Sequence, residues 1–136
     1  MNADRLTRPG AAVWAGRILG ALVVLVLLVD AGVSLFAPQL LAKSMEDTNF
    51  PPALSAAIGG ILLVCTVLFA IPRTSVLGAI LITAFLGGAI CTHFRVGEIA
   101  SPPQIVCVVL GVAAWASLYL RIGTLRVLLP LTGRAG

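Results

Sequence analysis

The sequence predicts an all-α integral membrane protein whose single domain, residues 1–136, is a bundle of four transmembrane helices. Three observations favour this fold class. Hydrophobic residues make up 60% of the chain and charged residues 10%, whereas soluble domains carry about 25% charged residues. The mean hydropathy is +1.10, and the apolar residues concentrate in four long runs. Because so little polar surface is left to face water, a soluble enzyme and a disordered chain are both disfavoured.

The basic character of the chain does not indicate nucleic acid binding. The net charge is +4 at pH 7, from nine lysines and arginines, five acidic residues and a neutral histidine. These cations stand singly between apolar runs. The sequence contains no basic stripe with interleaved aromatic residues, which nucleic-acid-binding domains use. We therefore expect the lipid bilayer as a partner and no nucleic acid.

Each apolar run has, or nearly has, the length of a membrane span. A helix needs about 20 mostly apolar residues to cross a bilayer, and the predicted spans are residues 18–36, 53–71, 76–93 and 104–121. Prolines separate the runs. Pro72 ends the second run, and Pro51 and Pro102 stand just before the second and fourth. Proline suits the first turn of a helix, where its missing N–H has no partner to lose. Barrel strands would alternate polar and apolar residues, and these runs do not.

The charged residues between the runs predict the orientation. With four spans, both termini and the link after Pro72 lie on one side of the membrane. Seven arginines belong to that side: Arg5, Arg8, Arg17, Arg73, Arg121, Arg126 and Arg134. The other side has two cations, Lys43 and Arg95, and three acidic residues. Basic residues accumulate on the cytoplasmic side, so both termini are expected there. A cleaved signal sequence is disfavoured, since the first run is long for one and carries Asp30.

Small residues recur at helical spacing in three of the runs. The third run carries two such stripes: Ala79, Thr83, Gly87 and Cys91, and beside them Ala84, Gly88 and Thr92. The second run offers Ser55 with Gly59 and Ala56 with Gly60, and the fourth offers Cys107 with Gly111. Small residues four apart let helices approach closely in lipid. We therefore predict a tight bundle without a wide pore.

Ionisable side chains within or beside the spans are the candidate site residues, because such groups are costly in a membrane and usually functional. These residues are Asp30, His93 and Arg95. Arg95 lies seven residues beyond Gly88, over the small-residue face, whereas His93 points about 200° away from it. We therefore predict an ion pair between Asp30 and Arg95, with His93 nearer the rim. A structural carboxylate and an interfacial histidine without chemistry are the alternative interpretation.

The three cysteines, Cys65, Cys91 and Cys107, include no C-x-x-C pair, which disfavours a dithiol generator of disulfides. Cys91 and Cys107 fall near the outward ends of their spans, where an oxidising compartment permits a disulfide. Buried cysteine also serves as a small apolar residue, and we expect both to be reduced, buried and dispensable. No metal site is predicted, because the chain has one histidine and no clustered ligands.

One part of the chain is similar to a known family. Residues 68–83, continuing through Gly87-Gly88-Ala89 to residues 92–97, resemble the DoxX-like family of small bacterial membrane proteins. Trp115, residues 118–121 and residues 128–130 also fit. The resemblance covers residues 17–130, and residues 72–97 are its specific part. It implies a four-helix bundle in the bacterial inner membrane.

The resemblance also implies a function. The family takes its name from a subunit linked to thiosulfate and quinone oxidation, and some relatives belong to membrane redox and thiol-stress systems. An accessory membrane subunit in a redox or stress-linked complex is therefore expected, with other membrane or redox proteins as partners. The alternatives are a quinone-linked oxidoreductase subunit, with quinone as cofactor and the candidate residues transferring protons, and a small transporter or lipid-binding bundle.

The sequence departs from the family pattern at polar positions. Many members carry a lysine where this chain has Ser34 and a glutamate near the position of Leu62. Several have a second histidine in the loop that here reads Ile99-Ala100-Ser101. The polar set of this chain is thus simpler than that of many relatives, which favours the accessory role over a catalytic one.

Overall fold

A computed structural model describes residues 10–129, and these residues form four long helices and two short ones. The helices are α1 (Ala11–Phe36), α2 (Ala42–Asp47), α3 (Ser55–Ala70), α4 (Ser75–Arg95), α5 (Pro102–Arg121) and α6 (Gly123–Leu128). Of these, α1, α3 with the turn before it, α4 and α5 are long and apolar enough to cross a membrane. The described residues contain no strand. The predicted all-α, four-helix fold class is confirmed.

The helices match the predicted spans except at the start of the first. Helix α1 begins at Ala11, seven residues before the predicted start at residue 18. The prediction began after Arg17 because hydropathy marks the part of a helix that lies in hydrocarbon. The helix itself continues through Arg17, whose guanidinium lies over the ring of Trp14 with its carbon 5.7 Å from the centroid. Tryptophan and arginine are both favourable at the interface between bilayer and water, because each has an apolar part and a polar end.

The four long helices form a ring in chain order. Helix α1 packs against α3 and α5, and α4 packs against the same two helices from the opposite side. Each spanning helix is therefore next to its neighbour in sequence, and α5 closes back onto α1, as in up-and-down bundles. The core inside this ring consists of fully buried side chains from all four helices, among them Leu27, Leu62, Phe69, Ile82 and Leu118.

Two glycines let α3 approach its neighbours closely. A Cβ atom at Gly59 would stand 2.8 Å from Cβ of Ser34 and 3.1 Å from the carbonyl oxygen of Ala31, both on α1. At the same contact Ser55 Oγ donates a hydrogen bond of 2.8 Å to the carbonyl oxygen of Ser34. A Cβ atom at Gly78 would collide with the backbone of α3 at Phe69. The close helix contact predicted from Ser55 and Gly59 is therefore present.

The prediction of a close contact is wrong for the glycines of α4 that stand further along the small-residue stripes. A Cβ atom at Gly87 or Gly88 would meet nothing within 4 Å, and the same holds for Gly60 on α3. At Gly111 the nearest atom is a methyl group of Leu86, 3.8 Å away. These glycines leave space where a side chain would have filled it.

The space beside Gly87 and Gly111 is an apolar groove of about 740 Å³ between α4, α5 and α6. Most of its lining is aliphatic or aromatic, and Cys107 contributes to it. Trp115 of α5 connects the two sides of the groove, because its Nε1 donates a hydrogen bond of 2.9 Å to Oγ1 of Thr83 on α4. Helix α6, within the tail that follows the fourth span, closes one end through Leu125. Small residues at this contact thus open the bundle instead of tightening it.

The two ends of the bundle carry opposite charge patterns. At one end the start of α1 lies against the end of α5, because Gly16 is in close contact with Ser117 and Leu120. We call this the basic end, and its described arginines are Arg17, Arg73, Arg121 and Arg126. The other is the acidic end, whose charged residues are Lys43, Glu46, Asp47, Arg95 and Glu98.

The charge difference between the ends predicts which end faces the cytoplasm. Because basic residues accumulate on the cytoplasmic side, we expect a reporter fused after Gly136 to behave as cytoplasmic and one inserted beside Glu46 to behave as external. Paired fusions that are active only inside or only outside the cell measure this. A cytoplasmic signal from the Glu46 insertion would overturn the assignment.

The glycine contacts predict unequal effects of one substitution. Gly78→Ala places a methyl group against the backbone of α3 and should destabilise the bundle by about 1–3 kcal/mol, as overpacking does. Gly88→Ala on the same helix is the matched control. It enters open space and should be neutral or stabilising, because alanine is the better helix former. Thermal unfolding in detergent compares the two, and equal losses would contradict the packing described here.

Candidate functional site

Asp30 lies at the edge of the buried face of α1, and it lines a cavity at the acidic end. Leu27 one turn before it and Ser34 one turn after it are buried, whereas Asp30 is exposed. Ser34 Oγ donates a hydrogen bond of 2.9 Å to the backbone carbonyl of Asp30, not to its carboxylate. Among the described residues, the Asp30 carboxylate forms no salt bridge. It is therefore free to interact with whatever enters the cavity.

The cavity has a volume of about 440 Å³ and lies between α1, α4 and the segment that contains α2. Its polar lining includes Asp30, Ser34, Thr92 and His93, and its apolar lining includes Leu41, Met45, Phe50, Ile58 and Phe85. Helices α1 and α4 stand diagonally in the ring, so the space between them is at the centre of this end. The structure thus brings Asp30 and His93 to one cavity.

His93 links this cavity to the surface through Glu98. Its Nδ1 lies 2.6 Å from Glu98 Oε2, and the two side chains are 13% and 39% exposed. His93 and Glu98 also line a second, outer cavity of about 320 Å³, together with Lys43 and Asp47. The imidazole therefore stands between the inner cavity and the charged rim. Nδ1 is engaged by Glu98, which leaves Nε2 for other partners.

The end of α4 explains why Glu98 reaches His93. Gly97 has a φ of +83°, a left-handed conformation that glycine adopts without strain. The chain turns back there, so that the N–H of Glu98 donates to the carbonyl of His93 (3.1 Å) and the N–H of Gly97 to that of Phe94 (3.0 Å). This is the Schellman arrangement, in which the residue after the glycine lies over the residue five positions earlier. That contact is commonly hydrophobic, and here it is the His93–Glu98 pair.

Gln104 fixes the same turn from the next helix. Its side chain is buried, and its Nε2 donates to the carbonyl oxygens of Glu98 (3.2 Å) and Ile90 (3.4 Å). Its Oε1 accepts a 2.9 Å hydrogen bond from the N–H of Ser101. One amide therefore ties the α4–α5 loop to both helices. This gives Glu98 a defined position although it lies in a loop.

The contact between Glu98 and His93 also affects protonation. A hydrogen bond from His93 stabilises the ionised carboxylate, and this lowers the pKa of Glu98 below its ordinary value of 4.5. An ionised Glu98 accepts a hydrogen bond from the N–H at Nδ1, so the histidine tautomer with hydrogen on Nδ1 is favoured when the ring is neutral. Nε2 then carries the lone pair that can accept a proton from the inner cavity.

The predicted ion pair between Asp30 and Arg95 is wrong. Arg95 Nη2 donates a 2.9 Å hydrogen bond to the carbonyl oxygen of Thr48, at the C-terminus of α2, where a cation is favourable. Arg95 lines a different cavity, with Asn49, Phe50 and Cys91. The expectation that His93 lies away from Asp30 is also wrong, because both line the inner cavity, whereas its expected place near the rim agrees with its position in the outer cavity. The error for Arg95 arose because the helix-face argument had no knowledge of α2 and of Thr48 directly after it, whose carbonyl is the partner of Arg95.

Comparison with known proteins identifies the family. The model of the DoxX-like family matches residues 18–117, which include the whole inner cavity from Asp30 to His93. The chain belongs to the DoxX-like family. The resemblance seen in residues 72–97 is thereby confirmed. No curated protein and no solved structure matches this chain.

The cysteines of this DoxX-like protein lie apart from the cavity that Asp30 and His93 share. Cys65, Cys91 and Cys107 are free thiols on α3, α4 and α5. Cys91 is exposed and not buried as expected, whereas Cys107 is half-buried in the apolar groove. Within residues 10–129, no three His, Cys, Asp or Glu side chains come close enough to hold a metal ion. The chemistry of the inner cavity is therefore that of a carboxylate and an imidazole.

Sequence reasoning missed Glu98, Gln104 and Thr48 as parts of this site. Glu98 and Gln104 had a readable signal. A glycine just after a helix predicts a Schellman turn, which places Glu98 over His93. Serine followed by proline, with glutamine three residues after the serine, is typical of a capped helix start. Thr48 had no such signal, because its backbone carbonyl and not its side chain binds Arg95.

The lowered pKa of Glu98 predicts how acid affects the DoxX-like bundle. The His93–Glu98 contact stabilises the fold fully above pH 4.5 and loses this contribution as the pH falls through the folded-state pKa below that value. We expect Glu98→Gln to lack part of the acid-induced loss of thermal stability seen in the wild type. Glu46→Gln, at the same end of the bundle, is the control. Melting temperatures in detergent between pH 3 and pH 7 measure the difference, and identical profiles for both variants would refute it.

Proposed function

We propose that this DoxX-like membrane protein is an accessory subunit of a redox or stress-linked complex in the bacterial inner membrane. In this proposal its inner cavity exchanges protons between a membrane-embedded ligand and the external face. The observation that carries the proposal is the shared cavity of Asp30 and His93, continued by the His93–Glu98 contact to the rim. Three proton-binding groups thus follow one another from the membrane toward the surface.

The cost of the site supports a functional role. A carboxylate in a span costs roughly 2.5–3.5 kcal/mol at the bilayer centre on insertion scales. Asp30 lies in the outer half of α1, 19 residues after the helix start at Ala11 and six before its end at Phe36, so its cost is below the central value. It lines a cavity and forms no salt bridge with another described residue. Histidine is a common general acid and base in proteins. A carboxylate, an imidazole and a second carboxylate form a chemically sensible path for protons, with water bridging the cavity.

The same chemistry supports an accessory role. Carboxylates and imidazoles accept and release protons but do not carry electrons. In a redox complex, electron transfer would therefore belong to another component. Asp30 and His93 would hold the ligand and supply or remove its protons. In this proposal the protons are exchanged with the external side, because Glu98, Lys43 and Asp47 line the outer cavity beside His93.

A quinone-linked oxidoreductase subunit is the second candidate, and the form of the inner cavity favours it. Its volume of about 440 Å³ falls within the range of about 300–1,000 Å³ for small-molecule sites. Polar groups line one part and apolar side chains the rest, which suits a ring with two carbonyl oxygens and an apolar tail. A bound quinone supplies reversible uptake of two electrons and two protons. Asp30 and His93 would bind and protonate its oxygens.

Purification from native membranes in mild detergent tests the proposed function. Partners and bound quinone would be identified by mass spectrometry, and quinone reduction would be measured with thiosulfate or a thiol as donor. We expect a redox protein to co-purify, and we expect Asp30→Asn and His93→Gln to lower the turnover of the complex by about 100-fold, a typical general acid–base contribution. Glu46→Gln is the control and should retain full turnover.

The outcomes separate the candidates. If the purified chain alone reduces quinone, the oxidoreductase subunit is favoured over the accessory one. Full turnover of the Asp30→Asn complex would refute a proton role for this cavity.

The side from which the inner cavity is accessible is tested with Asp30→Cys in a chain whose three native cysteines are replaced by alanine. A membrane-impermeant thiol reagent should label it from the acidic end alone. Labelling from both ends would favour a transporter instead.

A further inference from the structure

A further cavity, at the basic end, is lined by two arginines. It has a volume of about 390 Å³ and lies between α1, α3 and α5. Arg17 of α1 and Arg121 of α5 are its charged residues. The rest of its lining is glycine, alanine or apolar: Gly20, Ala21, Val24, Leu25, Leu28, Phe69 and Ala70. Two cations therefore line one mainly apolar cavity, and none of the acidic residues within residues 10–129 lines it.

Arg121, which lines this cavity, has an unused hydrogen-bond donor. Its Nε is buried and has no partner among the described residues. Its guanidinium carbon lies 5.7 Å from the centroid of the Phe69 ring. A buried donor without a partner costs about 1–3 kcal/mol, and rotation of the guanidinium toward an acceptor in the cavity would remove this cost.

No described acidic side chain is placed to neutralise the two arginines. The acidic residues within residues 10–129 are Asp30, Glu46, Asp47 and Glu98, and each lies toward or at the acidic end. Charges near the membrane are normally paired. Asp4 is the one other acidic residue of the chain, and it lies outside the described residues. An anion that neutralises the two arginines would therefore come from outside the described part of the chain.

The depth and shape of the cavity indicate what kind of anion it takes. Trp14, whose ring packs against Arg17, belongs to the residue type that marks the headgroup level of a bilayer. From Arg17 the lining continues along α1 to Leu28, which is about 16 Å further at 1.5 Å per residue. A free phosphate would use only the cationic part. A phospholipid would fill both, with its phosphate at the arginines and a chain along the apolar wall.

We infer that Arg17 and Arg121 bind the phosphate of an anionic phospholipid, with one acyl chain along Val24, Leu25 and Leu28. Basic pockets between transmembrane helices at the cytoplasmic side are suited to such headgroups. Arginine matches phosphate because its planar donors can form two parallel hydrogen bonds. The bound lipid joins α1, α3 and α5 at this end. The inference is independent of the function proposed for the cavity at the acidic end.

Binding of phosphatidylglycerol to the full chain in neutral detergent tests this inference. Native mass spectrometry gives the bound lipid, and the shift in melting temperature on lipid addition gives its effect on stability. Phosphatidylglycerol should bind and raise the melting temperature. Phosphatidylcholine and inorganic phosphate should do neither, since one lacks the net charge and the other lacks the chain. Equal effects of phosphatidylcholine would overturn the charge requirement, and equal effects of inorganic phosphate would overturn the lipid.

Variants locate the binding. Arg17→Gln and Arg121→Gln should each weaken phosphatidylglycerol binding by about tenfold, the equivalent of one lost charge-assisted hydrogen bond. If Arg121→Gln does not fold, Arg17→Gln and the charge-conserving Arg121→Lys carry the test. Arg73→Gln is the matched control, because Arg73 is at the same end but does not line the cavity, and its binding should be unchanged. Equal weakening by Arg73→Gln would show a general surface effect and overturn the site.

Asp4 provides a further control. If the anion comes from lipid, Asp4→Asn should leave phosphatidylglycerol binding unchanged. A gain of about tenfold or more in affinity on Asp4→Asn would show that Asp4 occupies the cavity in the protein, and this result would overturn the inference.

Discussion

The close contacts of α3 with α1 and α4 are the constraint on which the rest of this structure depends. In lipid, helices gain little from burying apolar surface and associate through close packing and hydrogen bonds. Gly59 with Ser55 provides such a contact to α1, and Gly78 provides one to α4. Because α3 holds both neighbours closely, α1 and α4 stand diagonally across the ring. Asp30 and His93, 63 residues apart in the chain, thereby line one cavity.

The same glycine chemistry has two opposite effects in this bundle. Where a glycine faces a neighbouring backbone, as at Gly78, it permits contact, and where it faces open space, as at Gly87 and Gly88, it creates volume. The inner cavity and the apolar groove border α4 at those latter positions. Small-residue stripes therefore cannot be read from spacing alone as helix contacts. The register of the facing helix decides between contact and cavity.

Hydropathy predicted the four-helix architecture because the bilayer imposes a length and a composition on each span. It also predicted Asp30 and His93 as candidates, since ionisable groups stand out in an apolar run. It could not predict their neighbours. The partner of Arg95 is the backbone carbonyl of Thr48, directly after α2, and α2 is a helix of six residues that has no hydropathy signal. Glu98 was within reach of sequence reasoning, because Gly97 marks the turn that carries it back to His93.

Four ionisable side chains of the bundle, two at each end, have different kinds of partner. At the acidic end, loops fold over the helix ends, and the protein provides the partners: Glu98 for His93 and the carbonyl of Thr48 for Arg95. At the basic end, Arg17 and Arg121 stand on helices that face lipid, and the described residues provide aromatic rings but no acid. The described part of the chain therefore supplies polar partners for His93 and Arg95, and for Arg17 and Arg121 aromatic contacts.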